Sequence, residues 1–88
     1  MTERQVRIGS KVGLHARPAS LFAKAVARAG VPVRIAKDGQ PPVNARSLLN
    51  LLTLGAAQGD VVTLHADGDD AAATLEELAA MLERELDE

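Results

Sequence analysis

The chain has 88 residues, which is the size of one small domain and leaves no room for a second core. It contains no cysteine, which excludes disulfides and thiolate metal sites, and Phe22 is its only aromatic residue, which argues against a base-stacking surface for nucleic acid. The net charge of −2 conceals an asymmetry: residues 1–46 hold nine Lys or Arg and two acids, whereas residues 47–88 hold one base and ten acids.

Location and partner class follow from the same composition. No apolar run approaches the roughly 20 residues that span a bilayer, and Met1 is followed by TERQVRI rather than by a basic and then apolar leader. We therefore expect a cytoplasmic protein with no membrane insertion, no nucleic-acid partner, no metal and no cofactor. The charge asymmetry could steer a charged partner to one surface, but a solvated surface explains it equally well.

The chain opens with a predicted strand and a predicted helix. Val6 and Ile8 alternate with Arg7, which predicts a strand from about Arg4 to Ile8. From Ala16 the apolar spacing changes to i, i+3, i+4 and i+7, which predicts a helix that ends near Gly30. Its buried side is expected to comprise Ala19, Phe22, Ala23 and Val26.

Two further strands are predicted before the next helix. Val31, Val33 and Ile35 alternate with polar or small residues, and Asp38-Gly39 is a strong hairpin turn. The turn leads into a segment around Gln40 to Val43. This segment contains two prolines, which cannot donate to a ladder, so it is expected at the edge of the sheet.

The second half predicts helix, strand and helix. Ser47 can cap a short helix through Leu48, Leu51 and Leu52 that closes at Gly55. After a Gln58-Gly59-Asp60 turn, a strand is expected with Val62, Leu64 and Ala66 facing inward, and His65, out of phase, facing solvent without a chemical role. Asp69 and Asp70 are candidate caps for a last helix whose apolar stripe is Leu75, Leu78, Ala79, Leu82 and Leu86.

The element order is therefore β-α-β-β-α-β-α. One apolar face on each strand and one apolar stripe on each helix predict two layers, a sheet with its helices on one side and water on the other. We expect an α+β fold in a single domain of residues 1–88.

The stretch GLHARPAS, residues 13–20, differs from the rest of the chain. If the first helix begins at Ala16, His15 is its N-cap and Pro18 lies in the first turn, where a missing N–H costs nothing. Histidine is a poor cap, so helix stability alone does not explain it. The helix dipole favours the neutral imidazole, and the free N–H groups together with Arg17 suit phosphate oxygens. Gly13 would let the backbone approach closely.

This combination of residues suits a histidine that accepts a phosphoryl group and keeps it labile. A histidine near a helix start is more often an ordinary surface residue, and His-x-Arg alone occurs often by chance. From the residues alone, both interpretations stay open.

GLHARPAS resembles the active-site motif of the HPr family, the histidine-containing phosphocarriers of the phosphoenolpyruvate-dependent sugar phosphotransferase system. A second stretch, Ala45-Arg46-Ser47-Leu48 with Leu51 and Thr53-Leu54-Gly55, resembles the family's regulatory serine and the helix behind it. Gln58-Gly59 and the Ala66-x-Gly68 turn extend the likeness over essentially the whole chain. The resemblance implies an open-faced β-sandwich, a four-stranded antiparallel sheet with three helices on one face.

By that resemblance the catalytic residues are His15, loaded at Nδ1 by Enzyme I, and Arg17, which stabilises the phosphoryl charge. The phosphate would rest on Ala16 and Arg17, and sugar-specific IIA proteins or domains would receive it. Such a chain is a carrier without turnover of its own, so we do not expect an enzyme.

Ser47 matches the position that HPr kinase/phosphorylase modifies in many Gram-positive relatives, which damps transfer and recruits a transcriptional regulator. A helix cap is the simpler role for Ser47, and the two roles are compatible because a phosphate is favourable at a helix start.

A docking surface is also implied. The leucine-rich second helix could leave some of Leu48, Leu49 and Leu52 exposed for partners, although core packing is favoured for Leu48, Leu51 and Leu52. Lys24 and Arg28 would extend a basic rim suited to an acidic Enzyme I, or would simply be solvated. Asn50 stands where enteric relatives tend to carry a docking lysine, which leaves open which partners fit. Transient partners imply a monomer.

Two alternatives remain. A small phosphate-handling enzyme, such as an acylphosphatase-like hydrolase, shares the size and the layering and uses arginine, but would not carry a covalent phosphohistidine. An HPr-like regulator that works only through Ser47 would have no use for His15 at the helix start.

Overall fold

The computed structural model describes residues 2–9, 13–14, 16–37 and 39–84, and its elements follow the predicted order. The α+β prediction is confirmed: four antiparallel strands form one sheet with three helices on one face. In chain order the elements are β1 (Thr2–Arg7), α1 (Ala16–Ala29), β2 (Val33–Lys37), β3 (Val43–Asn44), α2 (Leu48–Leu54), β4 (Val61–Ala66) and α3 (Ala71–Glu83).

The strand order is β1-β4-β2-β3, and every neighbouring pair is antiparallel. The register sets Val6 opposite Val62 and Ile35 opposite Leu64, so that the apolar positions share one inner face. Alternate residues, His65 among them, project from the face that the helices leave open. β3 lies at the edge of the sheet, as predicted from Pro41 and Pro42, which precede it.

The core lies between the inner face of the sheet and the helices. Phe22 of α1, Leu51 of α2 and Leu75 of α3 are each at most 1% exposed, and burial of such a side chain contributes roughly 1.5–3 kcal/mol. The predicted stripes are confirmed, with Ala23 only half-buried and Leu86 outside the described residues. The buried stripe residues are Ala19, Phe22 and Val26 in α1, and Leu75, Leu78, Ala79 and Leu82 in α3.

Strand boundaries differ from the prediction in β1 and β2. β2 begins at Val33 rather than Val31, and β1 begins at Thr2 rather than Arg4. Arg4 occupies an inward position in the ladder, where its Nε donates to Glu76 Oε2 of α3 at 2.7 Å. An ion pair to another element thus takes the place of an apolar side chain at this position, which period-2 alternation cannot indicate.

The β2–β3 connection is the predicted tight turn. Asp38 lies outside the described residues, but the Gln40 amide donates to the Lys37 carbonyl at 2.9 Å, which closes a four-residue turn. β3 spans Val43–Asn44 instead of starting near Gln40, because the two prolines have no N–H to pair.

The expected side-chain cap of α3 is wrong in mechanism. Asp70 is the N-cap residue, but its backbone (φ −100°, ψ 12°) is not extended and its side chain makes no capping hydrogen bond. The other candidate, Asp69, precedes it in the exposed turn.

The end of β1 is fixed to the end of α3. The Gly9 amide donates to the Leu82 carbonyl at 2.8 Å, and a Cβ on Gly9 would lie only 1.9 Å from the Glu83 carbonyl oxygen. The exit of the first strand therefore packs directly on the backbone of the last helical turn.

Within the described ranges, no helix is both long and apolar enough to cross a bilayer.

Candidate functional site

The predicted site centres on the start of α1. His15, the predicted phosphoryl acceptor, lies outside the described residues, and the helix begins at the next residue, Ala16. Pro18 is fully buried at the third helical position, where it removes an N–H that would have no partner in the helix. Helix geometry leaves the N–H groups of Ala16 and Arg17 without an intrahelical acceptor. These two amides are the predicted phosphate contacts.

Arg17 places its side chain in solvent at this helix start. The first turn of α1 has no acidic residue to compete for the guanidinium. Lys24 and Arg28 are also exposed, and their spacing of seven and eleven residues from Arg17 places all three on one side of the helix. We call Arg17, Lys24 and Arg28 the basic stripe; a negatively charged ligand or partner would find no opposing acid within α1.

The segment before His15 rests on the loop between α2 and β4. Leu14 is 2% exposed, and its amide donates to the Ala56 carbonyl at 2.9 Å. Gly13 has φ +73°, and a Cβ there would lie 2.5 Å from the same carbonyl oxygen. The close approach expected at Gly13 is thus an approach to Ala56, and it fixes the chain one residue before His15.

Ser47 is the N-cap of α2, as predicted. Its backbone is extended (φ −89°, ψ 115°), and its Oγ accepts a hydrogen bond from the Asn50 amide at 3.3 Å. The helix closes at Gly55, which has the left-handed conformation (φ 71°). The hydroxyl is half-buried and already serves α2.

The leucines of α2 divide into buried and exposed sets. Leu51 and Leu54 are buried, and Leu52 is half-buried against the core. Leu48 is 41% and Leu49 69% exposed, so the favoured core packing of Leu48 is wrong and a solvent-facing leucine pair, Leu48 and Leu49, adjoins Ser47. A seven-residue helix has too few positions on one side to bury all of them.

Lys37 and Asp60 adjoin the site and were missed by the sequence analysis. Lys37 Nζ donates to the Gly55 carbonyl at 2.9 Å and lies 3.3 Å from Asp60 Oδ2. That oxygen accepts from the Ala57 amide at 2.9 Å, and this bond, followed by Lys37, holds the pKa of Asp60 below its ordinary value. The only sequence signal is that Lys37 precedes one predicted turn and Asp60 lies in another; nothing in the sequence pairs the two residues.

The remaining candidates lie elsewhere. His65 projects from the open face, as predicted, but it is half-buried, with Nδ1 3.5 Å from Glu3 Oε2. Two clefts of about 440 and 500 Å³ adjoin the C-terminal half of α1, and neither includes Arg17 or Ser47. Over the described part of the chain, no group of three potential metal ligands comes together. Of the predicted site residues that are described, Arg17, Lys24, Arg28, Leu48 and Leu49 are exposed, whereas Ser47 and Leu52 are half-buried.

Comparison with known proteins identifies the family. The family described as the PTS HPr component phosphorylation site matches residues 2–84. The chain is 49% identical to phosphocarrier protein HPr of Streptomyces coelicolor, over all of this chain and 95% of the relative. It is 41% identical to the HPr-like protein Crh of Bacillus subtilis, over 98% of this chain and all of the relative. A crystal structure of HPr from Thermoanaerobacter tengcongensis superposes with a TM-score of 0.89 at 38% identity, covering 100% of this chain and 98% of the other. The chain therefore belongs to the HPr family, the phosphocarriers of the phosphotransferase system.

Proposed function

We propose that this chain, as one domain of residues 1–88, accepts a phosphoryl group on His15 from phospho-Enzyme I and passes it to IIA proteins or domains in phosphoenolpyruvate-dependent sugar uptake. One observation carries the proposal: α1 begins at Ala16, immediately after His15, with two amides free of intrahelical acceptors and an exposed Arg17. A phosphoryl group on the neighbouring imidazole would lie within the reach of those donors.

The proposed transfer is a single displacement. The Nδ1 lone pair of a neutral His15 forms the new bond to phosphorus while the bond to the donor atom of Enzyme I breaks, and the electron pair of that bond leaves with Enzyme I. The imidazole proton stays on Nε2. Arg17 and the helix amides stabilise the negative charge on the phosphoryl oxygens, and unloading to a IIA acceptor reverses the step. Each cycle returns the carrier unchanged, without turnover of its own.

Partners would dock beside this site. The basic stripe, Arg17, Lys24 and Arg28, suits an acidic surface of Enzyme I, and the leucine pair, with the half-buried Leu52 on the same helix, offers an apolar contact. The transient exchange that a carrier needs favours a cytoplasmic monomer with small interfaces, and no nucleic acid, membrane, metal or cofactor takes part in it.

Regulation through Ser47 is the second part of the proposal. Ser47 adjoins the leucine pair, so a phosphate on its Oγ would add about two negative charges beside the docking surface and would repel an acidic partner. The modifying partner would be an HPr kinase/phosphorylase, and the modified form could recruit a transcriptional regulator.

The direct test mixes the protein with labelled phosphoenolpyruvate and Enzyme I. We expect one acid-labile, base-stable phosphoryl group per chain, which His15→Ala abolishes. The matched control is His65→Ala, since His65 is the other histidine of the chain and should leave labelling intact. Label that persists in His15→Ala, or no label on the unmodified protein, would refute the proposal.

A further inference from the structure

We infer that Lys37 and Asp60 act together as positioning residues for the phosphoryl acceptor, through the loop on which the segment before His15 rests. This inference rests on the proposed function of His15. Their described contacts are to each other and to peptide groups, so we assign them a positioning role and not a catalytic one. Both act on peptide groups that flank Ala56.

Three polar contacts converge on three consecutive residues of the α2–β4 loop. The Gly55 carbonyl accepts from Lys37 Nζ at 2.9 Å, and the Ala57 amide donates to Asp60 Oδ2 at 2.9 Å. Between them, the Ala56 carbonyl accepts from the Leu14 amide at 2.9 Å. Asp60 therefore holds the same peptide group, Ala56–Ala57, that accepts from Leu14, and Lys37 holds the peptide group before it.

The two side chains also hold each other. Lys37 Nζ lies 3.3 Å from Asp60 Oδ2, which joins the end of β2 to the start of β4 across the loop. Asp60 is further fixed by its own backbone: its amide donates to the Ala57 carbonyl, and its carbonyl accepts from the Ile8 amide. These contacts therefore connect the loop to Lys37 at the end of β2, to Asp60 just before β4 and to Ile8 just after β1.

The segment before His15 has little freedom to compensate for a shift of this loop. Gly13 lies so close to Ala56 that a Cβ would contact its carbonyl oxygen at 2.5 Å and the Ala57 Cα at 2.9 Å. Leu14 is buried as well as hydrogen-bonded. A displacement of residues 55–57 should therefore be transmitted to Leu14 and then, across one peptide bond, to His15.

Docking and positioning predict different kinetics. Lys37 and Asp60 are outside the basic stripe and the leucine pair, so their loss should not weaken the encounter with Enzyme I. A misplaced acceptor lowers the rate of transfer within the complex, since small errors in the position of a reacting group are costly. We therefore expect Enzyme I to show a lower kcat with the variants as phosphoryl acceptors, and an almost unchanged KM for them.

The experiment measures phosphoryl transfer from Enzyme I to Asp60→Ala and Lys37→Met, with Lys37→Arg as the conservative variant. We expect kcat to fall roughly three- to tenfold in the first two variants with KM within about twofold, and Lys37→Arg to recover most of the rate. The matched control is Glu76→Ala, which removes the ion pair between Glu76 of α3 and Arg4 of β1 and should transfer normally. Thermal unfolding shows whether each variant is folded.

Magnetic resonance supplies a readout that needs no transfer. The Leu14 and Ala57 amide shifts and the His15 imidazole titration should change in Asp60→Ala and Lys37→Met but not in Glu76→Ala. Folded variants with the transfer rate and the His15 titration of the unmodified protein would overturn the inference. If the unmodified protein takes no phosphoryl group, the proposed function fails, and the titration still decides whether the two residues position His15.

Discussion

At the start of α2 the Ser47 hydroxyl accepts a hydrogen bond from the Asn50 amide, whereas at the start of α1 the first described amides, those of Ala16 and Arg17, have no acceptor within the helix. The start of α2 is capped by Ser47, a residue type that caps helices well. The start of α1 follows His15, a residue type that caps helices poorly, and α1 carries the buried Pro18 in its first turn. Under the proposed function, the α1 start is therefore the one at which an external anion would bind.

The largest effect is expected from a substitution at the start of α1. Arg17→Ala should lower the rate of transfer to His15 by roughly 100-fold, because the exposed guanidinium is the strongest single donor available to the phosphoryl oxygens. Lys24→Ala, on the same side of α1, should raise KM several-fold and leave kcat nearly unchanged. Rapid-quench labelling against Enzyme I concentration separates the two effects. Equal changes in both variants would mean that Arg17 serves only docking.

Two substitutions of Ser47 test the capped start of α2. Ser47→Ala should lower the free energy of unfolding by about 1 kcal/mol, because the Asn50 amide loses its acceptor. Ser47→Asp should keep that stability, since a carboxylate also caps, and should slow transfer by repelling acidic partners. Urea unfolding and transfer kinetics on the same samples measure both. A fast Ser47→Asp variant would remove the regulatory role and leave only the cap.

The smallest expected effect is on the pH dependence of stability, and it concerns Asp60, which holds the α2–β4 loop. The pKa of Asp60 is held below its ordinary value of 3.8, first by the Ala57 amide and then by Lys37. The ionised carboxylate thus stabilises the fold at pH values above the ordinary pKa. This contribution is lost as the pH falls through the lowered pKa. Asp60→Asn should make unfolding stability depend less on pH below about pH 4. Identical pH profiles for the two proteins would show that Asp60 is not linked to folding.

Local signals explain which parts of the fold could be predicted. The strand from Val61 to Ala66 and the helix between Ser47 and Gly55 were predicted closely, because alternation, a cap residue and a closing glycine are all read within a few neighbours. The inward Arg4 and the missing side-chain cap at Asp70 were not predicted, because each depends on tertiary contacts or backbone angles that the pattern does not contain.

The same division holds for the site. The helix start at Ala16 and the special role of Gly13 followed from one short motif. The exposure of Leu48 was not predicted, since a leucine in a short helix reads equally well as core. Lys37 and Asp60 lie 23 positions apart and meet only because β2 and β4 are neighbours in the sheet, an order that the element sequence alone does not specify.

The contact of Gly9 with the end of α3 has a consequence for local opening of the protein. With the Gly9 amide bonded to Leu82 and no space for even a methyl group, β1 cannot separate from the sheet at this end unless the last helical turn also loosens. Fraying of the two elements should therefore be one cooperative event, and their amide protons should exchange with a common opening free energy.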